Sequence, residues 1–375
     1  MRQKRKISAL IALIFSTLAG VGATPSPLVQ ALDTLFAERY GTATGEPGGA
    51  VIVARGDSVL YERYFGVADM ATAEPVADST LFCIASVSKQ FTVVGLLQQM
   101  AAGKLHINDK ASAHLPYKAD VWNHVTLADL AGHTSGIADA RDRSNRDSCI
   151  YATDESSVRY FADVTDTQFE PGTAYDYLNP SFLLLAKVIE DKSGQEFTRY
   201  QEEHVLRPAG MRRAVYFDPD SMPAHTAHAY APDSTALGGW KEYDYGEETF
   251  FATRPDGCLY ATARDMLAWE RALAAGTVLA PALRDMAYTP RISVTDSKWC
   301  DYQRRPDTWY GLGWFVDTTP GEPVKVYHTG DNGGFQAYVA KRPADNTVVI
   351  VLENRHDRDR WSMARKIDKI LDANP

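Results

Sequence analysis

The chain contains one Ser-x-x-Lys, Ser86-Val87-Ser88-Lys89, where a helix begins. On a helix, positions i and i+3 share a face with Cβ atoms about 5–6 Å apart, so the Lys89 amine can sit beside the Ser86 hydroxyl. A serine hydroxyl becomes a useful nucleophile when a neighbouring base takes its proton. A helix N-terminus adds free N–H groups and a dipole that suit developing negative charge. One short segment thus supplies a nucleophile, a base and part of an oxyanion site, although the same four residues also describe a helix start with an exposed lysine. Two further motifs tip the reading towards chemistry. Tyr177-Leu178-Asn179, the only Tyr-x-Asn, lies 91 residues downstream and can place a phenol and a carboxamide on one side of an extended loop. A phenol, with a reference pKa near 10, acts as a base only when nearby cations lower that value, and Lys89 is a candidate cation. His328-Thr329-Gly330 follows 151 residues later, at a strand start. It offers a hydroxyl, a polar or cationic side chain, and a glycine that lets substrate backbone approach.

These three motifs, in this order, resemble the serine β-lactamase and penicillin-binding protein superfamily, specifically its class C β-lactamase-like branch. That branch also holds D-alanyl-D-alanine carboxypeptidases, D-aminopeptidases and esterases. The likeness extends through Phe82–Thr92, Gly103-Lys104-Leu105 with Asn108-Asp109, Leu130–Gly136 and Phe169-Glu170-Pro171-Gly172. It continues in Pro208-Ala209-Gly210-Met211, Thr262–Met266, Tyr310–Trp314 and Gly333–Val339. The resemblance implies that Ser86 attacks the carbonyl carbon of an amide, lactam or ester. Lys89 and Tyr177 would form the proton-transfer network, with Tyr177 near the leaving group. Asn179 would hold Lys89 and a substrate amide. His328 and Thr329 would face the substrate carboxylate or leaving group, and Gly330 would let the backbone approach. The N–H groups of Ser86 and Asp331 would form the oxyanion hole, and water would release the acyl group. No metal or organic cofactor is implied. A non-hydrolytic β-lactam or peptidoglycan-fragment binding protein of the same fold is the alternative.

The chain departs from the class C pattern in two places. Lys-Thr-Gly followed by Ser becomes His328-Thr329-Gly330-Asp331, and Asp176 stands before Tyr177 where the family usually has Ser. Histidine is mostly neutral at pH 7, so it anchors a carboxylate less well than lysine. His-Thr-Gly is similar to one group of D-alanyl-D-alanine carboxypeptidases. Two acids beside the site would repel a substrate carboxylate or favour an amine. The expectation is therefore a peptidase-like or esterase-like hydrolase rather than a potent β-lactamase.

Residues 1–23 read as a signal peptide: Arg2, Lys4, Arg5 and Lys6, then an apolar run from Ile7 to Ala19, then Val21-Gly22-Ala23 before Thr24. The apolar run is short for a membrane span, which needs about 20 residues. The expected location is periplasmic or secreted. The whole chain carries 39 basic and 48 acidic residues, a net charge of −9; the leader holds four of the basic residues and no acid, so the mature chain would carry −13. That balance disfavours nucleic acid and anionic membrane as partners and leaves a small-molecule or peptide substrate. Four cysteines, Cys83, Cys149, Cys258 and Cys300, allow three pairings in an oxidising compartment, and the sequence chooses none. Cys83 also reads as a small buried apolar residue.

The elements that must position these groups follow from hydrophobic spacing. Leu28, Val29, Leu32, Leu35 and Phe36 make a helical stripe. Ala50–Ala54 and Val59–Phe65 predict a hairpin, and Tyr310–Val316, Val324–His328, Phe335–Lys341 and Val348–Leu352 predict four more strands. Trp361–Leu371 predicts a closing helix with Met363, Ile367 and Ile370 inward. The fold class expected is α+β: an antiparallel sheet flanked by terminal helices, with a mostly helical inserted lobe. After the leader, residues 24–375 form one hydrolase unit, its sheet lobe about 24–79 and 286–375 and its helical lobe about 80–285. The site would lie between the lobes. Other features carry less. Lys192-Ser193-Gly194 reads as a helix end. His225-x-x-His228 lacks a third ligand and reads as a polar loop. His133, in His-Thr-Ser-Gly, reads as turn chemistry supporting the cleft. No Gly-x-Ser-x-Gly is present, which argues against an α/β-hydrolase, and Gly311-x-Gly313 lacks the third glycine of a dinucleotide fingerprint.

Overall fold

A computed structural model describes residues 25–41, 45–138, 160–218, 220–243, 253–295, 307–357 and 359–375. The leader read at 1–23, Cys149 and Cys300 lie outside the described residues.

Helix α1 (Pro27–Tyr40) starts where Ser26 accepts the Val29 N–H in its side chain and Pro27 takes the first position. Strands β1 (Gly49–Arg55) and β2 (Ser58–Phe65) form the first hairpin. The middle of the chain carries α2 (Lys89–Ala101), α3 (Leu127–Ala131), α4 (Ser181–Ser193) and α5 (Ala263–Ala275). The chain then returns to strands: β3 (Ile292–Ser293), β4 (Thr308–Tyr310), β5 (Phe315–Asp317), β6 (Lys325–Asn332), β7 (Phe335–Arg342) and β8 (Thr347–Glu353). Helix α6 (Arg360–Asp372) closes it.

The eight strands make one sheet in the order β3-β4-β5-β6-β7-β8-β1-β2, every neighbouring pair antiparallel. The α+β expectation stands. Both sheet faces are covered, so strands β1, β7 and β8 are buried at nearly every position rather than at alternate ones. Val51, Val53, Tyr338, Val349 and Val351 face Leu32, Phe36, Met363 and Ile367 of α1 and α6. Ala50, Ile52, Val339, Ile350 and Leu352 belong to the larger core with Met266, Trp269 and Leu273 of α5. Ile370 is half-buried against the terminal-helix cluster. A buried polar knot ties α1 to β8: Arg39 donates to both Glu353 carboxylate oxygens at 2.8 and 2.6 Å, and the Tyr40 hydroxyl donates to one of them at 2.8 Å.

Three expectations change. The single strand at Tyr310–Val316 is instead β4, a reversal through Gly311–Trp314, and β5. Gly313 has φ +79, and a Cβ on Gly311 would meet the Ala287 carbonyl oxygen at 2.2 Å, so the glycines permit a turn that a continuous strand would forbid. His328-Thr329-Gly330 lies in the middle of β6, not at a strand start. The middle of the chain also holds a small three-stranded sheet of Phe82–Cys83, Leu259–Ala261 and Val215–Tyr216, whose strands are too short to leave a periodic signal.

Candidate active site

A 3₁₀ turn, Ala85–Ser88, leads straight into α2. Ala85 sits at φ +47, a left-handed conformation that turns the chain sharply out of the strand at Phe82–Cys83. Residues i and i+3 eclipse in a 3₁₀ turn, which sets Lys89 over Ser86. Lys89 Nζ lies 3.0 Å from Ser86 Oγ and donates to the Asp256 carbonyl oxygen at 2.8 Å. Ser86 is half-buried and reachable, whereas Lys89 is wholly enclosed. The rings of Tyr177 and Phe182 stand beside the amine, their centroids 4.9 and 5.4 Å from Nζ.

The segment around Asp256 is stitched to this turn. Thr92 Oγ1 donates to the Pro255 carbonyl at 2.7 Å, the Leu259 N–H donates to Ser88 Oγ at 3.2 Å, and the Ile84 N–H donates to the Leu259 carbonyl at 3.0 Å. Sequence reasoning missed Asp256 because its contribution is a backbone carbonyl. It assigned Asn179 to hold Lys89; the structure corrects this, since Asn179 Oδ1 is buried with no hydrogen-bond partner among the described residues.

Tyr177 sits on an irregular loop held by the turn after α3. Asp129 and Thr126 close a capping box on α3, and Asp129 also accepts from Thr134 Oγ1 at 2.8 Å. From that turn, Thr134 accepts the Gly172 N–H at 2.8 Å and Gly136 accepts the Gln168 N–H at 2.7 Å. His133 accepts the Asp176 N–H on its carbonyl and the Leu178 N–H on Nδ1, both at 3.0 Å. The reading of His-Thr-Ser-Gly as turn chemistry beneath the cleft thus has a physical form.

Strand β6 forms the opposite wall. Its partner β5 pairs only as far as Tyr327 (opposite Phe315), so from His328 to Asn332 the outer edge of β6 has no strand beside it among the described residues. That stretch is pressed against the Ser86 turn: a Cβ on Gly330 would meet the Ile84 carbonyl oxygen at 2.2 Å and the Ala85 Cβ at 2.9 Å. Thr329 is buried beside it.

His328 is 1% exposed, with Nδ1 2.6 Å from the Thr329 carbonyl and Nε2 3.0 Å from the Tyr310 hydroxyl. A carbonyl only accepts, so Nδ1 carries the proton and Nε2 accepts from Tyr310. Burial, then the charge of Lys89, push its pKa down to about 3. His328 is therefore a neutral imidazole with both nitrogens engaged, not a cationic anchor. Asp331 is an acid with a partner. Its carboxylate is paired with the buried Arg360 at the start of α6 and accepts from Gln336 Nε2 at 3.3 Å, while Arg360 also donates to the Gly330 carbonyl at 3.0 Å. The acid expected to repel a substrate carboxylate has its charge opposed. Asp176, the second acid, accepts from Gln168 Nε2 at 3.4 Å.

The remaining motifs settle elsewhere. Gly194, at φ +72, caps α4. His225 and His228 bond to Glu74 and Glu242 at the surface. Cys83 and Cys258 are buried and not joined in a disulfide; Cys83 Sγ donates to the Gly257 carbonyl at 3.4 Å, and burial raises its pKa to about 11.

Known proteins similar to this chain identify its family and share its fold. The family profile described as Beta-lactamase matches residues 32–372. Penicillin-binding protein 4* of Bacillus subtilis (strain 168) is 26% identical over 343 residues, covering 87% of this chain and 73% of the relative. The D-alanyl-D-alanine-carboxypeptidase/endopeptidase AmpH of Escherichia coli (strain K12) is also 26% identical over 343 residues, covering 87% of this chain and 84% of the relative. The crystal structure of a penicillin binding protein from Bacillus halodurans matches with a TM-score of 0.75 at 27% identity, covering 91% of this chain and 98% of that one. With a profile that spans nearly all of its length, a shared fold and Ser86-x-x-Lys89 set against Tyr177, the chain belongs to the β-lactamase family.

Proposed function

We propose that the protein is a secreted serine hydrolase that forms an acyl-enzyme on Ser86. The observation that carries this reading is the 3.0 Å contact between Lys89 Nζ and Ser86 Oγ, with the Tyr177 ring against the same amine. In the reaction, Ser86 Oγ bonds to the substrate carbonyl carbon while its proton passes into the Lys89–Tyr177 network. The carbonyl oxygen takes up negative charge, held by the N–H groups of Ser86 and Asp331. Losing one such donor typically costs about 10²–10³-fold in kcat. The bond to the leaving nitrogen or oxygen then breaks, and Tyr177 returns a proton to the departing atom. Water attacks the acyl-enzyme by the reverse relay and frees Ser86.

The open edge of β6 supports an extended substrate laid antiparallel to His328–Asn332, bonded through its backbone. Asn179, with an unused buried amide oxygen, suits a substrate amide N–H. Thr329 and Gly330 line that edge, while His328 supports it from within through Tyr310. The substrate class proposed is a D-amino-acid peptide, lactam or ester. The opposed charge on Asp331 removes one objection to a carboxylate-bearing substrate. The leader at 1–23 supports a periplasmic or secreted location, and no helix among the described residues is long and apolar enough to cross a membrane.

Intact-mass spectrometry of the protein mixed with a penicillin, beside Ser86→Ala, tests the proposal. The expected result is a mass increase equal to one penicillin on the wild type, absent from the variant. A long-lived adduct marks a slowly deacylating peptidase, and a transient one with product marks a lactamase. Equal adduct on both proteins removes Ser86 as the nucleophile.

A further inference from the structure

We infer that His133 is the positioning residue for Tyr177, fixing the phenol where a leaving group must receive its proton; this rests on the reading of Ser86, Lys89 and Tyr177 as the reacting set. Tyr177 belongs to neither helix nor strand. Its placement therefore depends on what grips the loop, and one residue grips it on both sides. The His133 carbonyl takes the N–H of Asp176, and His133 Nδ1 takes the N–H of Leu178, each at 3.0 Å. Between these two ties the imidazole lies along the phenol, with ring centroids 4.1 Å apart and planes 31° apart.

His133 is itself immobilised. It is 1% exposed and sits at φ +59, a conformation a non-glycine residue holds only when its surroundings impose it. The neighbouring Thr134 N–H donates to the Asp129 carbonyl at 2.9 Å, which anchors the turn to α3. The rings of Tyr310 and Phe182 back the imidazole at 4.9 and 5.3 Å. An imidazole nitrogen that accepts an N–H carries no proton, so the proton belongs on Nε2 and the ring must stay neutral. Burial, followed by the nearby Lys89 and His328, holds the His133 pKa well below its ordinary value, which keeps Nδ1 free to accept. A Ser-His relay would need the opposite arrangement: an exposed ring, able to pick up a proton and touching the nucleophile.

Two substitutions separate the nitrogen from the ring. The carboxamide oxygen of H133N can take the place of Nδ1, and Asn tolerates a positive φ. The carboxamide of H133Q extends to the position of Nε2 and leaves the Leu178 N–H unmet. Two probes separate leaving-group protonation from general damage: acylation by benzylpenicillin, whose departing nitrogen needs a proton, and the burst of p-nitrophenol released as p-nitrophenyl acetate acylates Ser86, since that phenolate leaves without one. H133Q is expected to slow penicillin acylation about 10²-fold, the usual scale of a small misplacement, and the ester burst by less than tenfold. H133N is expected to restore most of the lost acylation. In a Tyr177→Phe background, H133Q is expected to add little, because the two residues act as one unit. Equal losses on both probes, an H133N as impaired as H133Q, or full additivity with Tyr177→Phe would each overturn the inference. Failure of the underlying reading looks different: Ser86→Ala would then react with penicillin as fast as the wild type.

Discussion

At Lys89, groups from three distant parts of the chain meet: the hydroxyl of Ser86, the carbonyl of Asp256 and the ring of Tyr177. A carbonyl oxygen and a serine oxygen orient the amine. Lys89→Gln keeps much of the shape and removes the proposed proton relay, so penicillin acylation should fall by about 10²–10⁴-fold, read by the rate of mass increase. The pairing of Ser86 with Lys89 was legible in the sequence because it is local, three residues apart on one turn. The Asp256 carbonyl was not, since every residue has one and only the fold brings this one across 167 positions. The same limit explains Asp331. Its acidity could be read from the sequence, but its partner Arg360, on α6, could not. Arg360→Gln leaves that carboxylate unopposed beside the cleft. Acylation by anionic benzylpenicillin should drop about tenfold relative to hydrolysis of neutral p-nitrophenyl acetate, with the difference shrinking in high salt.

Among the elements, β6 has two jobs along its length. Up to Tyr327 it is an ordinary interior strand between β5 and β7, and from His328 it becomes an edge set against the Ser86 turn. Gly330 is the point of contact, and Gly330→Ala would push a methyl into the Ile84 carbonyl. The strand and the turn must then separate. The expected outcome is a loss of about 1–3 kcal/mol in urea unfolding, with acylation reduced far more than that stability change explains. Sequence patterning found β1, β2, β7, β8, α1 and α6, whose apolar runs or helical stripes have one reading each. It merged β4 with β5, because Tyr310–Val316 is apolar throughout and a glycine pair counts weakly against a strand. It ended β6 too early, at His328, because Thr329-Gly330-Asp331-Asn332 carries no apolar signal and is held as strand by pairing with β7.

For the whole molecule, buried histidines make stability depend on pH. His328 has its pKa depressed from 6.5 to about 3, and that of His133 is also driven well down. In the unfolded chain both take up protons near pH 6.5, while the native protein does not. Stability is therefore complete above that pH and is lost as pH falls towards the native values. Each histidine contributes a slope of up to about 1.4 kcal/mol per pH unit. Urea unfolding should show a loss of about 2–3 kcal/mol between pH 6 and pH 5, and His328→Gln should roughly halve the slope. A wild-type profile flat across that range would contradict the burial of both rings. The knot of Arg39, Tyr40 and Glu353 makes a second expectation at this scale. Arg39→Leu strands a buried carboxylate and should cost about 3–5 kcal/mol, measured in the same way at pH 7.

The strand order also dictates when the protein can exist during its own synthesis. β1 is flanked by β8 and β2, so the hairpin made first waits for the strand made nearly last. The turn bearing Ser86 waits likewise for Gly330 to press against it. A ribosome adds about 5–20 residues per second, so for many seconds the nascent chain holds a finished nucleophile motif with nothing to lock it. Until the chain's end is released the first hairpin lacks β8 and the Ser86 turn lacks Gly330, so the site is complete only once the last strands arrive.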